Sequence, residues 1–122
     1  MNIIKTAIIS SALYATTVFG SAVDGNHLLS VCHDYVAAMD GKGKLNSPFD
    51  RGYCAGMIHG TLDMAASTSD STFRVCLPPS SVTTSQATRV VVKYLESNPE
   101  QLHLRDTELV IMAFQNAFPC KS

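Results

Sequence analysis

The sequence has no tryptophan, and only 7% of its 122 residues are aromatic. Its core must be made mostly of aliphatic side chains, and such a small domain buries little surface, so cross-links matter to it. Charge is sparse too: nine Lys and Arg stand against ten Asp and Glu, a formal charge of −1. That balance cannot supply the basic face a nucleic-acid binder needs. No polybasic or strongly amphipathic segment points to a membrane surface. Catalytic signatures are missing as well. Serines are plentiful, but none sits in a G-x-S-x-G elbow. No pair of histidines has the spacing of a helical zinc protease. No glycine-rich phosphate loop follows a strand, and no C-x2-C pair suggests zinc. These absences argue against an enzyme and against a cofactor or metal. No internal repeat, heptad array or low-complexity tract appears beyond a short Ser/Thr run.

The N-terminus reads as an address. Met1 to Lys5 carries one positive charge, and Thr6 to Gly20 is apolar and small-polar without any charge. Gly20-Ser21-Ala22 supplies the small residues signal peptidase accepts, so residues 1–22 are predicted to be a secretory signal peptide cleaved after Ala22. The apolar stretch is too short and too rich in Ser and Thr for a permanent anchor. Residues 23–122 are left as one exported domain with a formal charge of −2, not associated with a membrane after cleavage.

Four cysteines fall in that domain: Cys32, Cys54, Cys76 and Cys120. An even count in a short exported chain reads as a disulfide framework. Counting alone leaves three pairings open, and the helical pattern chooses among them. Leu28, Leu29, Cys32, Tyr35, Val36 and Met39 share one face of a helix over 26–39, with Asn26 as its cap and Gly41 and Gly43 in the loop that ends it. Ser47-Pro48-Phe49-Asp50 opens a second helix to about Ala66. Its apolar side is Phe49, Tyr53, Met57, Ile58, Leu62 and Ala65. Gly52, Gly56 and Gly60 form a stripe that predicts close approach of another backbone, with a dimer interface as the other use. An extended segment follows, Phe73-Arg74-Val75-Cys76-Leu77-Pro78-Pro79, with no helix signal. Thr83 and Gln86 have capping-box spacing for a third helix, which ends at Asn98-Pro99 and buries Ala87, Val90, Val91, Tyr94 and Leu95. A fourth helix, about 106–117, turns Leu109, Val110, Ala113, Phe114 and Ala117 inward. The fold class is therefore an all-α bundle of about four helices in two hairpins. Cys32 and Cys54 are equidistant from the first turn, and Cys76 and Cys120 from the second. Antiparallel packing then favours Cys32–Cys54 and Cys76–Cys120, one staple per hairpin.

Of the four histidines, His59 stands four residues before Asp63 on one helix face. His33 and Asp34 are adjacent and predicted to point to different sides, and His27 and His103 sit near helix ends. Surface or capping roles suit all of them. The mature methionines, 39, 57, 64 and 112, read as core filler.

Several segments together resemble a known family. Gly52-Tyr53-Cys54-Ala55-Gly56 is similar to its G-[FY]-C-x-G helix opening. Cys76-Leu77-Pro78 with Val82-Thr83 and Gln86 resembles its C-x-P…V-T-x-x-Q segment. Val90 to Leu95, Asn98-Pro99 and Leu102-His103 resemble its V-V-x-Y-L…[HN]-P…L-H stretch, and Ala117-Phe118-Pro119-Cys120 its closing A-F-P-C. The order resembles the Rap/Tai family of type VI secretion immunity proteins, over Cys32 to Cys120. Ser81 departs from it where a glycine is expected. The resemblance implies a periplasmic, often dimeric protein that binds a cell-wall amidase effector and blocks its cleft sterically. The motif residues explain fold more than binding, so the binding residues are inferred from exposed polar loops: Ser67, Thr68, Ser69, Asp70, Ser71 and Thr72 in one, Gln101 and Arg105 in the other. The alternative is a stand-alone periplasmic stress or chaperone-like protein of the same fold.

Overall fold

A computed structural model describes residues 23–43 and 47–121. The predicted signal peptide, 1–22, lies outside the described residues. Four helices, α1 (Gly25–Met39), α2 (Pro48–Ser67), α3 (Thr84–Ser97) and α4 (Asp106–Ala117), pack around one core, with a single 3₁₀ turn at Pro99–Gln101. No strand occurs among the described residues, and none of their helices is long and apolar enough to cross a membrane.

Helix ends follow local chemistry. The Ser47 hydroxyl accepts from the Asp50 N–H at 3.1 Å, with Pro48 in the first turn, and the Thr83 hydroxyl accepts from the Gln86 N–H at 3.2 Å. At the end of α1, Lys42 N–H donates to the Ala37 carbonyl and Gly41 N–H to the Ala38 carbonyl. This is a Schellman closure, and it needs the φ of 69° that Gly41 adopts. The start of α1 corrects the expectation of an Asn26 cap: Asp24 caps instead, accepting from His27 N–H at 3.1 Å. Asp24 is free to do so because a bridge to Arg105 holds it extended. In that bridge Gly25 N–H donates to the Leu104 carbonyl at 3.0 Å and Asp106 N–H to the Val23 carbonyl at 3.1 Å. Asn26 turns its amide to the Leu102 carbonyl, 3.1 Å away. Three donors thus tie the chain's entry to the α3–α4 connection.

Leu28, Cys32, Cys54, Ile58, Leu95, Leu109 and Phe114 are fully buried at the centre. The predicted inward faces need five corrections. Val31 and Val92 join the core, whereas Phe49, on the predicted apolar side of α2, is 74% exposed, and Met39 is exposed too. Phe49 sits in the first turn of α2, on the face away from α1, so helical phase overrides its hydrophobicity. Ala117 is exposed at the end of α4. The glycine stripe is also corrected: a Cβ placed on Gly52, Gly56 or Gly60 would meet nothing within 4 Å. The stripe faces outward, because the buried side of α2 is Cys54, Ile58, Thr61, Leu62 and Ala65. The close approach occurs at Gly25, where a Cβ would lie 2.3 Å from Leu109 Cδ1 and 3.0 Å from the Leu102 backbone.

Both favoured disulfides are present, Cys32–Cys54 and Cys76–Cys120. The first joins α1 to α2 through the core. The second joins the extended segment before α3 to the chain after α4, at the open end of that hairpin.

One buried polar contact links α2 to α4. The Tyr53 hydroxyl donates to Asp106 Oδ2, and Asp106 Oδ1 accepts from Thr107 N–H at 2.6 Å. The His27 ring meets Tyr53 edge-on at 5.3 Å. Burial pushes the Tyr53 phenol well above its ordinary range, and the hydrogen bond and charge of Asp106 push it the same way. The native state then holds that proton more tightly than the unfolded chain, so the associated stability is complete below about pH 10 and declines as pH rises beyond it. Tyr53→Phe should lower stability near neutral pH by about 1–2 kcal/mol, since Asp106 keeps its burial and loses a donor. The variant should also lose less stability than the wild type above about pH 10. Urea titrations at neutral and alkaline pH check both effects; identical alkaline slopes would contradict the second.

Candidate partner-binding loop and groove

The loop between α2 and Val75 is polar, exposed and held in one shape. Thr68 closes α2 by donating its N–H to the Met64 carbonyl. Its hydroxyl accepts from Asp70 N–H at 3.2 Å, and Asp70 Oδ1 accepts from Thr72 N–H at 2.9 Å. The Asp70 carbonyl accepts from both Phe73 and Arg74 N–H groups, at 3.1 and 3.0 Å. Hydrogen bonds from Thr72 hold the Asp70 carboxyl below its ordinary range, so the turn keeps its charge into mild acid. Phe73, expected in the extended segment, belongs to the turn instead and is 41% exposed.

Three attachments fix this loop to the bundle. Gln115 of α4 donates its amide to the Thr72 carbonyl at 2.9 Å. Val75 is buried, and its N–H donates to the Ala65 carbonyl at 3.0 Å. Cys76 N–H donates to the Phe118 carbonyl at 3.0 Å, beside the disulfide to Cys120. Between the loop and α4 runs an open groove of about 460 Å³. Phe73, Ile111 and Met112 give it apolar walls, and Arg105, Glu108 and Gln115 stand among its polar groups.

The eight residues singled out from the sequence fall in different places, and two of them, Thr72 and Arg105, meet in the groove. Ser69, Asp70, Ser71 and Thr72 are exposed on the loop, Ser67 ends α2, and Thr68 is half-buried at its closure. Thr72 and Arg105 line one groove although they come from different connections. The Asp24 bridge sets the Arg105 backbone there. Gln101 does not line it: its side-chain carbonyl accepts from the Tyr94 hydroxyl at 2.9 Å, which braces the α3–α4 turn. The sequence does not mark Phe73, Glu108 or Gln115 as site residues, and Met112, read as core filler, is half-buried and lines the groove. Phe73 was assigned to the extended segment, and the α4 residues carry no local signal, since only the loop's return path puts them opposite it.

Two of the histidines have acidic neighbours. His59 and Asp63 pair at 3.0 Å on the exposed face of α2. His33 does reach Asp34, at 3.8 Å, contrary to the expectation that they diverge, and also lies 4.0 Å from Glu96. Among the described residues, no three His, Cys, Asp or Glu side chains are placed to hold a metal ion.

The protein is a disulfide-stapled helical bundle that carries a polar loop beside a shallow groove. Residues 24–120 match the family model of Rap1a immunity proteins, and the chain belongs to that family. No curated protein and no solved structure matches it.

Proposed function

We propose that the protein is an exported immunity protein, and that it binds a type VI secretion peptidoglycan amidase in the periplasm and occludes its cleft with the loop at 68–74. Membership of an immunity family supports the general reading. The observation that carries the site is the loop's fixed shape: three attachments and an internal Asp70 network hold exposed groups in place before any partner arrives. Little ordering entropy then opposes binding. A protruding polar turn is suited to entering a cleft, with Phe73 beside it as an aromatic anchor and Arg105 and Glu108 at the rim. Removal of residues 1–22 on export is part of the same proposal.

The test is co-purification with the amidase-like product of a neighbouring gene, together with a cell-wall hydrolysis assay. Phe73→Ala should weaken binding by roughly 30-fold, the size expected of an interface anchor, while leaving the thermal transition close to wild type. Wild-type protein that neither binds nor inhibits any such hydrolase would end the immunity-amidase reading, and tight binding by Phe73→Ala would move the site elsewhere.

The homodimer implied by the resemblance would use the outer face of α2, where Gly52, Gly56 and Gly60 lie open beside the exposed Phe49. Light scattering against concentration, with Gly56→Glu as the variant, tests it. A chaperone-like role would need a broad apolar surface. The exposed large apolar side chains among the described residues are Met39, Phe49, Met64 and Phe73, spread over the end of α1, both ends of α2 and the loop.

A further inference from the structure

The two disulfides differ in where they sit and in what they hold. Cys32 and Cys54 are both fully buried and surrounded by core residues. Cys76 is exposed and Cys120 half-buried. Thiol–disulfide exchange needs a thiolate to reach one sulfur in line with the bond, so access separates the two bonds as targets. Cys76 also stands at the base of the loop, two residues after Arg74 and next to buried Val75. Opening its bond removes the covalent part of one of three loop attachments and leaves the Cys32–Cys54 link between α1 and α2 intact.

We propose that Cys76–Cys120 is a reducible latch on the loop, whereas Cys32–Cys54 is a permanent staple of the core. A low-molecular-weight thiolate attacks the Cys76 sulfur, forming a mixed disulfide and expelling Cys120 as a thiolate, which takes up a proton. A second thiol displaces Cys76 from the mixed disulfide. The net reaction consumes two thiols and one protein disulfide and yields one small disulfide and two protein thiols, so the electrons balance. The 68–74 loop then loses its covalent tie to the chain end, and its remaining hold is hydrogen bonds alone, from Val75 to Ala65, from Gln115 to Thr72 and from Cys76 N–H to the Phe118 carbonyl. The consequence for an effector rests on the reading above: the reduced protein binds the amidase more weakly. The latch itself does not depend on that reading.

The test uses the folded, oxidised protein, residues 23–122, without an effector. It is incubated in dithiothreitol of graded concentration, alkylated with iodoacetamide, and mapped by mass spectrometry, with circular dichroism recorded on the same samples. Alkylation at Cys76 and Cys120 is expected at a rate more than about tenfold that at Cys32 and Cys54. Helicity should be kept through this first step, and tryptic cleavage after Arg74 should rise. A Cys76→Ser/Cys120→Ser variant should show the same cleavage without reductant. Equal alkylation of all four cysteines, loss of helicity as the first bond opens, or unchanged protection of Arg74 would each overturn the proposal. If the latch opens as expected but the reduced protein blocks its amidase fully, the loop's role as inhibitor fails and the latch stands.

Discussion

Replacing both Cys32 and Cys54 by alanine should lower stability by about 3–5 kcal/mol. Their bond spans 22 residues of chain and constrains the unfolded state, a contribution near 3 kcal/mol for a loop of this size. Both residues are fully buried, so their loss also leaves under-filled space between α1 and α2. A domain of this length has a net stability on the order of 5–15 kcal/mol. The melting temperature should fall on the order of 20 °C, and calorimetry of the oxidised wild type and the variant measures it. A shift of only a few degrees would mean that the helices hold their positions without the bond.

Gly25→Val is the other large effect. A Cβ at this position lies 2.3 Å from Leu109 Cδ1, and Leu109 is itself fully buried. The Leu109 side chain would have to turn aside within the packed core, and the Leu102 backbone, at 3.0 Å, yields only if the connection shifts. Two further methyl groups worsen both contacts and press on the bridge that ties Gly25 N–H to Leu104 and Val23 to Asp106. The expected cost is about 3 kcal/mol, at the upper end for overpacking. Gly25→Ala should cost less, and Gly56→Ala should stabilise slightly, because the same Cβ there meets nothing and alanine favours the helix. Urea midpoints for the three variants give the ordering. A Gly25→Val protein as stable as the wild type would show that the α1 entry can separate from α4 at little cost.

The contrast between Gly25 and Gly56 also marks what was legible in the chain. Helical periodicity and capping chemistry are local, and they placed α2, α3 and α4 to within about a residue. Two cysteine pairs symmetric about two turns then gave the correct pairing, since antiparallel geometry converts sequence distance into height. The sense of the glycine stripe was not legible. Spacing by four says only that three residues share a face, and which way it points depends on where Cys54, Ile58 and Leu62 are taken by their partners. Gly25 gave no sign at all, because its neighbours Leu102 and Leu109 are more than seventy residues away. The candidate site divided along the same line. The polar loop at 67–72 is visible from composition, and Arg105 from its place in a connection. The groove they share with Phe73, Met112 and Gln115 exists only once α4 has packed behind the loop.

The disulfide topology has a bearing on how the chain matures. Each bond joins consecutive cysteines, the first with the second and the third with the fourth. If the chain emerges N-terminus first into an oxidising compartment, simple order of emergence offers each cysteine its native partner next. Cys32 and Cys54 can close around a local hairpin while the rest is still in transit, a low-cost closure because the intervening loop is short. The bridge from Asp24 must wait for Arg105, and the second bond must wait for Cys120, beyond α4. Oxidation in sequence therefore needs no reshuffling, and the loop at 68–74 is the last part of the protein to be locked.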